Sequence, residues 1–392
     1  MPFAVYLLAL AVFAQGTSEF MLSGLVPGIA RDLHVSVPAA GLLTSAFAVG
    51  MVAGAPLMAV LSLRWPRRRA LLAFLLTFLL AHVAGAVTPG YEVLLASRVV
   101  AALANAGFLA VAMATAIGLA PPDAKGRATS VLLGGITLAC VAGVPAGALL
   151  GEVWGWRSAF WAVAAALVPA IVAVVRSVPA VPAVPADLGG PTVRGESRAL
   201  RNPRLLVLLL LGALVNGATF CTFTYLAPLL TVATGIGSGW MPAMLALFGL
   251  GSFAGVTISG RLADVRPIGL LVGGGVALAA GWAAFAMTAG EPALAIVLVF
   301  VQGTLSFAVG STLISQALYA AADAPTLGGS FATAAFNVGA TAGPWLGGLA
   351  IGAGLGFRSP LWVSAALVAA ALVVAGAAYP IGRAPRGVVA RP

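Results

Sequence analysis

A single acidic side chain inside a long apolar stretch is the first candidate for chemistry in this sequence. Glu19 is the only carboxylate clearly within an apolar run, and Gln15 and Ser23 lie four residues to either side of it. Residues spaced by four share one face of a helix, so these three predict a polar stripe facing a cavity. A carboxyl group surrounded by apolar material is costly and points first to a functional role, here the uptake and release of protons. The alternative is a structural carboxylate held by a neighbouring helix.

Arg98 is the only basic residue within an apolar run and is the natural partner for Glu19. Each lies roughly five to eight residues from the same end of its predicted helix, so their depths are similar at about 1.5 Å per residue. Desolvation disfavours the charged form of a carboxyl group, whereas a neighbouring guanidinium favours it. We therefore predict that Glu19 and Arg98 form a proton-coupling pair. The alternative is a static buried ion pair.

Other polar and aromatic side chains in the apolar runs are candidates for contact with a bound small molecule. Rings at Phe220, Tyr225, Phe248 and Phe336 could stack on an aromatic ligand, although each is also suited to packing. The predicted substrate-binding residues are Gln15, Ser23, Asn105, Asn216, Phe220, Tyr225 and Asn337.

The sequence predicts no metal site and no cofactor. His34 and His82 are far apart, and Cys140 and Cys221 stand alone in apolar runs, so no cluster of metal ligands is expected. His82 is expected to be a satisfied buried polar residue or, alternatively, a proton relay. The only lysine, Lys125, does not lie in a GxxxxGK[ST] phosphate-binding loop, which excludes that mode of nucleotide binding.

Composition defines the elements that must position these residues. Of the 392 residues, 61% are apolar and only 8% charged, against about a quarter charged in soluble domains. A membrane helix needs about 20 apolar residues, so this chain has enough for about twelve. No Lys or Arg precedes the first apolar run, which we expect to be a span rather than a secretory signal. The predicted spans are 3–27, 40–63, 70–88, 93–118, 130–151, 158–175, 205–231, 241–262, 268–288, 292–318, 328–353 and 360–380.

Basic residues between these spans predict the orientation. Sixteen of the twenty Lys and Arg residues fall on one side and three on the other, so both termini and the central loop are expected in the cytoplasm. The net charge of +10 is therefore interpreted as loop charge facing anionic lipid rather than nucleic acid. Three Val-Pro-Ala triplets and an Arg-rich tail mark a linker. The predicted domains are a six-helix half at 1–175, a cytoplasmic linker at 176–204 and a second six-helix half at 205–392.

The two halves resemble each other at an offset of about 201 residues. Gly155-Trp156-Arg157-Ser158 corresponds to Gly356-Phe357-Arg358-Ser359, and Gln15-Gly16 corresponds to Asn216-Gly217. Phe220 stands where Glu19 stands in the first half, so the acid occurs once. Repeats of this kind place a substrate cavity between the halves near the middle of the membrane.

Several motifs resemble those of the major facilitator superfamily, and within it the twelve-helix drug/proton antiporters. The segment from Gly16 through Glu19 to Pro27 is similar to their first-helix signature, and Arg98 to their fourth-helix arginine. Gly143, Pro145 and Gly147 resemble the antiporter motif of the fifth helix. Gly260-Arg261-Leu262-Ala263-Asp264 resembles the cytoplasmic gating-loop motif, of which the first half keeps only Arg67, Arg68 and Arg69, with Arg64 where an acid is expected.

The resemblance is greatest to the actinobacterial chloramphenicol resistance exporters. It implies an all-α membrane protein of the major facilitator fold, located in the cell membrane as a monomer, which is not an enzyme and exchanges a small amphipathic drug for protons. Export of a sugar, such as arabinose, or of another metabolite is the alternative, although a sugar site needs more polar side chains than this set provides. An intramembrane enzyme would need a nucleophile with a base or paired acids, whereas Glu19 is the only acid clearly inside a span and His82 lies in a different helix.

Overall fold

The computed structural model describes residues 3–62, 65–121, 125–178, 197–322, 324 and 327–378, and this described part is helices joined by short turns, with no strand. Twelve of its helices are long and apolar enough to cross a membrane. Helices suit this composition because a backbone in lipid must satisfy its own hydrogen bonds within the segment.

We number the membrane helices α1 to α12 in chain order. In the first half, α1 comprises Phe3–Phe20 and Leu22–Asp32, and α5 comprises Lys125–Leu138, Ala139–Gly143 and Val144–Trp154; the others are α2 (Val37–Ser62), α3 (Arg67–Val87), α4 (Tyr91–Leu119) and α6 (Trp156–Ser177). In the second half, α7 comprises Pro203–Thr224, Leu226–Pro228 and Leu229–Ala233, and α11 comprises Gly328–Ala350 and Ile351–Leu355; the others are α8 (Met241–Leu262), α9 (Pro267–Thr288), α10 (Pro292–Ala320) and α12 (Ser359–Ala378). Short 3₁₀ helices at Ser197–Arg201 and Ser238–Trp240 precede α7 and α8.

The observed spans agree with the predicted ones to within a few residues at most ends. The helix assignment of α1 is interrupted at Met21, with Gln15 and Glu19 before the interruption and Ser23 after it. The expected stripe of three polar residues on one face stays a prediction. Most of the predicted linker, residues 179–196, and the tail from 379 lie outside the described residues, so the domain limits stay a prediction.

Buried apolar side chains form one core in each half. The larger cluster packs α1 to α6 together, and the second packs α7 to α12 with Val144 and Ala148 of α5. The repeat is visible in backbone geometry as well. Gly155 and Gly356 both have positive φ, 81° and 75°, and each accepts a bond from the serine three residues later. The same sharp turn thus links α5 to α6 and α11 to α12.

Two main seams join the halves in the described part of the chain. We call the side where α6 ends and α7 begins the linker end, and the opposite side the far end. In the α2–α11 seam, the Ser45 hydroxyl donates to the carbonyl oxygen of Thr341 at 2.8 Å. Nearer the far end, Gly41 is needed for close approach, because a Cβ there would lie 2.3 Å from the hydroxyl of Tyr225. In the α5–α8 seam, a Cβ on Gly249 would lie 2.3 Å from the carbonyl oxygen of Cys140.

Candidate functional site

Arg98 lies at the centre of the first half, with its side chain only 1% exposed. Its Nη1 donates to Oγ of Ser18 at 2.7 Å and its Nη2 to the carbonyl oxygen of Ser18 at 2.8 Å. The guanidinium carbon is also 4.5 Å from the ring centroid of Phe47 and 6.0 Å from that of Phe160. A buried charge needs such partners, since burial alone is unfavourable. The guanidinium is therefore anchored on α1 and enclosed by rings of α2 and α6.

His82 of α3 completes this network. Its Nδ1 lies 2.8 Å from the carbonyl oxygen of Phe78, which can only accept, so Nδ1 carries the proton. Its Nε2 lies 2.7 Å from Oγ of Ser18. Because Ser18 accepts from Arg98, its own hydroxyl hydrogen is free to donate to this unprotonated Nε2. One serine hydroxyl thereby links Arg98 to a histidine of fixed tautomer, and both hydroxyl bonds are satisfied.

Glu19 follows Ser18 directly and is half-buried. Its carboxylate is not within 4 Å of the Arg98 guanidinium, and the ion pair found among the described residues is that of Asp32 with Arg157. The two charges are nevertheless near enough to interact electrostatically. The structure therefore places the acid beside the arginine but assigns the hydrogen bonds of the arginine to Ser18.

The other two members of the predicted polar stripe differ in their surroundings. Gln15 is 1% exposed, and neither Oε1 nor Nε2 has a hydrogen-bond partner among the described residues. It lies one helical turn from Glu19 on the same segment of α1. Ser23 donates its hydroxyl to the carbonyl oxygen of Phe20 at 3.0 Å, across the turn at Met21. Gln15 thus keeps free hydrogen-bonding capacity, whereas Ser23 stabilises the local break.

A row of phenylalanine rings crosses from α1 into the second half. Phe20 lies 5.6 Å from Phe220, Phe220 6.4 Å from Phe223, Phe223 4.7 Å from Phe248, and Phe248 6.3 Å from Phe307, all between ring centroids. Together with Cys140 and Thr219 the rings line a narrow cleft, which we call the aromatic cleft. The rings are packed closely and leave room for about one water molecule, so the cleft must widen considerably to admit a drug-sized ligand.

The remaining predicted substrate residues lie outside the aromatic cleft. Nδ2 of Asn105 contacts the sulfur of Met51 at 3.6 Å, and Nδ2 of Asn216 donates to the carbonyl oxygen of Phe336 at 2.7 Å. Nδ2 of Asn337 donates within its own helix. Tyr225 donates to the carbonyl oxygen of Pro344 of α11 at 2.8 Å, beside the α2–α11 seam. Of the predicted substrate-binding residues, Phe220 alone lines the aromatic cleft. Phe248, one of the predicted stacking rings, lines it as well.

The predicted antiporter motif lies at a break in α5. Pro145 has no N–H to donate to the preceding turn, and the helix widens into a π turn at Ala139–Gly143 just before it. The motif packs on α1: a Cβ on Gly143 would lie 2.0 Å from Oγ1 of Thr17, and one on Gly147 3.1 Å from Cβ of Met21. The motif thus brings α5 against the segment of α1 that carries Glu19.

The predicted gating-loop residues stay within their own halves. Arg67, Arg68 and Arg69 begin α3 at the linker end, and Arg67 lies against Gly118 of α4. Asp264 accepts a bond from the hydroxyl of Tyr319 at 2.9 Å. Arg64 is outside the described residues. No described contact connects Asp264 to the arginines of the first half.

A second polar cluster ties helix ends together at the far end. Arg157 forms an ion pair with Asp32 and also donates to the carbonyl oxygen of Thr88 at 3.0 Å. The indole of Trp156 donates to the same carboxylate at 3.0 Å. The Arg157 bond, followed by the Trp156 bond, holds the pKa of the Asp32 carboxyl group below its usual range. This cluster links α1, α3 and α6.

Sequence reasoning missed Ser18 and most of the aromatic cleft. The available signal was that Ser18 lies next to Glu19 and is one of the few polar residues in α1. Phe20, Phe223 and Phe307 could not be separated from ordinary packing residues, because almost every face of these helices is apolar. Cys140 enters the cleft only through the π turn, which the sequence pattern does not reveal.

Twelve described helices in two similar halves, with a half-buried acid and a buried arginine beside a cleft between the halves, define a membrane transporter. A sequence model of the Major Facilitator Superfamily matches residues 8–329. The chain belongs to this superfamily, a class of multi-pass membrane transporters rather than of enzymes.

Similar proteins cover nearly the whole chain. The chloramphenicol resistance protein of Streptomyces lividans is 58% identical over 375 residues, covering 96% of each chain. The chloramphenicol efflux pump Rv0191 of Mycobacterium tuberculosis is 31% identical over 350 residues, covering 87% of this chain and 84% of its own. A bacterial homologue of the human lysosomal transporter Spinster, solved in an inward-facing, unoccupied conformation, has a TM-score of 0.72 at 19% identity, with 96% and 95% covered. At this low sequence identity, the structural similarity shows the fold alone.

Proposed function

We propose that this chain exports chloramphenicol, or a closely similar small amphipathic antibiotic, in exchange for protons. Three consecutive residues carry the proposal. Ser18 holds Arg98, Glu19 is the carboxylate beside it, and Phe20 forms one end of the aromatic cleft. The proton carrier Glu19 and the cleft residue Phe20 thus lie on one turn of α1. Protonation of Glu19 and ligand contact at Phe20 would therefore influence each other.

The aromatic cleft supports the assignment of substrate class. Its lining is almost wholly apolar, so a ligand gains by burying an aromatic ring there, at about 0.5–1.5 kcal/mol for each ring pair beyond the area effect. Chloramphenicol is a nitrophenyl compound with polar groups at its other end. A sugar would leave most of its hydroxyl groups without partners in this cleft. The names of the Streptomyces and Mycobacterium relatives agree with the aromatic ligand.

The arrangement of Glu19 and Arg98 supports proton coupling. When Glu19 is protonated, Arg98 keeps its two bonds to Ser18. When Glu19 releases the proton, its carboxylate attracts the guanidinium, and the pull is transmitted to α1 through Ser18. We propose that drug and proton occupy this turn alternately. One proton entering for each neutral drug leaving moves one charge, driven by about 2.3 kcal/mol per 100 mV.

The basic loops support a cytoplasmic linker end. Under this orientation both termini are inside the cell, and the α2–α11 seam, with Ser45 and Tyr225, closes the external side. We propose that drug enters from the linker end and is released when the α2–α11 seam opens, together with separation of α5 and α8 at the π turn. Arg67, Arg68, Arg69 and Asp264 lie at the end where cytoplasmic gating would occur.

Accumulation measurements test the proposal directly. In cells that lack other exporters, expression of this chain should lower the level of labelled chloramphenicol, and a protonophore should restore it. Accumulation of labelled arabinose is measured in the same cells to test the alternative substrate. Uphill chloramphenicol efflux that survives the protonophore would refute proton coupling, and export of arabinose alone would replace the drug assignment.

Reporter fusions test the orientation. A reporter fused after Arg194 should be active only in the form that reports the cytoplasm, and one fused after Thr288, at the far end of α9, only in the form that reports the exterior. The reverse pattern would contradict the assignment of sides.

A further inference from the structure

His82 is a buried, titratable side chain that the proposed transport cycle does not use. It is 1% exposed, and its ring is stacked on Phe78 with a distance of 4.3 Å between ring centroids. Its two nitrogens have defined roles. Nδ1 donates to the carbonyl oxygen of Phe78 at 2.8 Å, so Nε2, which lies 2.7 Å from Oγ of Ser18, can only accept. The ring of His82 thus offers a fixed hydrogen-bond acceptor to α1.

The hydroxyl of Ser18 behaves differently from most serine and threonine hydroxyls in these helices. Such hydroxyls commonly donate to a carbonyl oxygen three or four residues earlier in their own helix. The adjacent Thr17 does so, to Phe13 at 2.8 Å. Ser18 instead bonds to Nε2 of His82 on another helix, and we attribute the difference to the acceptor that His82 provides. Further hydroxyls that bond within their own helix are those of Ser97, Thr115, Thr219, Thr304 and Thr312.

The direction of the Ser18 hydroxyl determines what holds Arg98. With the hydrogen directed to His82, the lone pairs of Oγ remain available to Nη1 of Arg98, which donates at 2.7 Å. If the hydroxyl turned back towards its own helix, Oγ would move away from the guanidinium. Arg98 would then keep only the bond from Nη2 to the carbonyl oxygen of Ser18, at 2.8 Å. His82 therefore secures one of the two bonds that anchor Arg98 on α1.

The anchored position keeps the guanidinium apart from Glu19. No oxygen of the Glu19 carboxylate is within 4 Å of the guanidinium nitrogens, and Nε of Arg98 has no hydrogen-bond partner among the described residues. A guanidinium with an unused N–H is drawn towards a nearby carboxylate when an anchor is lost, because opposite charges attract. The described titratable groups around Glu19 are Arg98 of α4, His82 of α3 and Cys140 of α5, while α2 and α6 contribute the rings of Phe47 and Phe160.

We propose that His82 is a positioning residue of the proton site. By accepting the hydroxyl hydrogen of Ser18, it keeps Arg98 anchored on α1 and off the Glu19 carboxylate until that carboxylate is charged. His82 transfers no proton in this scheme, and it is neutral in this arrangement because a protonated Nε2 could not accept from Ser18. The inference rests on the proposed function and deepens it, since it names a residue that sets the pH at which the proton site works.

The pH profile of transport separates this role from ordinary packing. Purified full-length protein is reconstituted in liposomes, and the pH of the half-maximal rate of labelled chloramphenicol uptake is measured. His82→Phe keeps a stacking ring but offers no acceptor, so the freed guanidinium should favour the charged carboxylate of Glu19. The midpoint should therefore move to lower pH by about half a unit to one unit, the shift that corresponds to one hydrogen bond.

Two comparison variants isolate the hydrogen bond. His82→Gln restores an acceptor oxygen without a titratable group, so it should keep the wild-type midpoint if His82 acts by position alone. Ser97→Ala is the control, because it removes a buried hydroxyl beside Arg98 that bonds to Leu94 within α4. It should also keep the wild-type midpoint.

Ser18→Ala gives an independent check, because it removes the hydroxyl through which His82 acts. It should move the midpoint in the same direction as His82→Phe, and adding His82→Phe to it should move the midpoint no further. Should His82→Phe not fold, a wild-type midpoint in Ser18→Ala overturns the inference, and an acid shift there with the wild-type midpoint in His82→Gln supports it.

The remaining outcomes are equally decisive. A wild-type midpoint in folded His82→Phe, with only a lower melting temperature, would mean that the ring has a structural role alone. Equal shifts in His82→Gln and His82→Phe would make His82 a proton carrier, and additive shifts in the double variant would show that it does not act through Ser18; each overturns the inference. Absence of pH-dependent uptake by wild-type protein would overturn the proposed function as well, whereas normal wild-type uptake with unshifted variants removes the positioning role alone.

Discussion

Replacing Glu19 by glutamine is the sharpest test of the site, because the substitution removes a proton carrier and little else. The Glu19 carboxylate makes no hydrogen bond to the described residues and is half-buried. Arg98 keeps both bonds to Ser18 in the variant. We therefore expect Glu19→Gln to change the free energy of unfolding by less than about 1 kcal/mol, as for substitutions that break no buried network.

The expected effect on transport is much larger. A membrane potential of about 100 mV acting on one charge provides about 2.3 kcal/mol. At about 1.4 kcal/mol per tenfold change, this supports a drug gradient of roughly 40-fold. Glu19→Gln cannot release a proton, so it should equilibrate drug across the membrane at best and reach no gradient at all.

Proteoliposomes with an imposed potential and proton gradient give the measurement. Wild-type protein should accumulate labelled chloramphenicol, and Glu19→Gln should not, while both retain equilibrium drug binding. Glu92→Gln is the matched control, since Glu92 is exposed in the first turn of α4 and the chemical change is the same. Uphill transport by well-folded Glu19→Gln protein would refute the assignment of Glu19 as the carrier.

Three further predictions concern the framework around the site. Arg98→Lys keeps the charge, but an ammonium group lacks the planar fork with which the guanidinium bonds to both oxygens of Ser18. The free energy of unfolding, measured by chemical denaturation, should therefore fall by about 1.5–3 kcal/mol. An unchanged value would contradict the anchoring role of Arg98. Gly143→Ala should lower the free energy of unfolding by about 1–3 kcal/mol, because the added Cβ meets Thr17. Gly134→Ala, where no atom lies within 4 Å, is the control and should be neutral or slightly stabilising in the same denaturation experiment. Equal effects of the two substitutions would argue against close packing of α5 on α1. The lowered pKa of Asp32 means that its ion pair stabilises the fold above the usual carboxyl range and that this stability is lost as pH falls through the lowered value. Both partners are more than a third exposed, so Asp32→Asn should cost at most about 1 kcal/mol at neutral pH, and a deficit that persists in acid would count against the ion pair.

The amino-acid sequence alone was enough for the class of fold and for the rarest residues. Hydropathy is a local property, so the twelve spans could be located to within a few residues. The repeat follows from matching anchors such as Gly155 and Gly356, whose backbone geometry proves to be the same. Glu19 and Arg98 stand out because an ionisable group in an apolar run is rare whatever its neighbours are.

Only the tertiary structure decided which side chains meet. Arg98 is bonded to Ser18, and through it to His82, rather than to the carboxylate of Glu19, and the aromatic cleft combines Phe20 with Phe220 and Phe307 from distant parts of the chain. Such contacts depend on the rotation and tilt of each helix about its axis. In a soluble protein an amphipathic pattern would indicate that rotation. Here lipid and the protein interior are both apolar, so the sequence pattern is nearly the same on every face, and the packing of one helix on another sets the site.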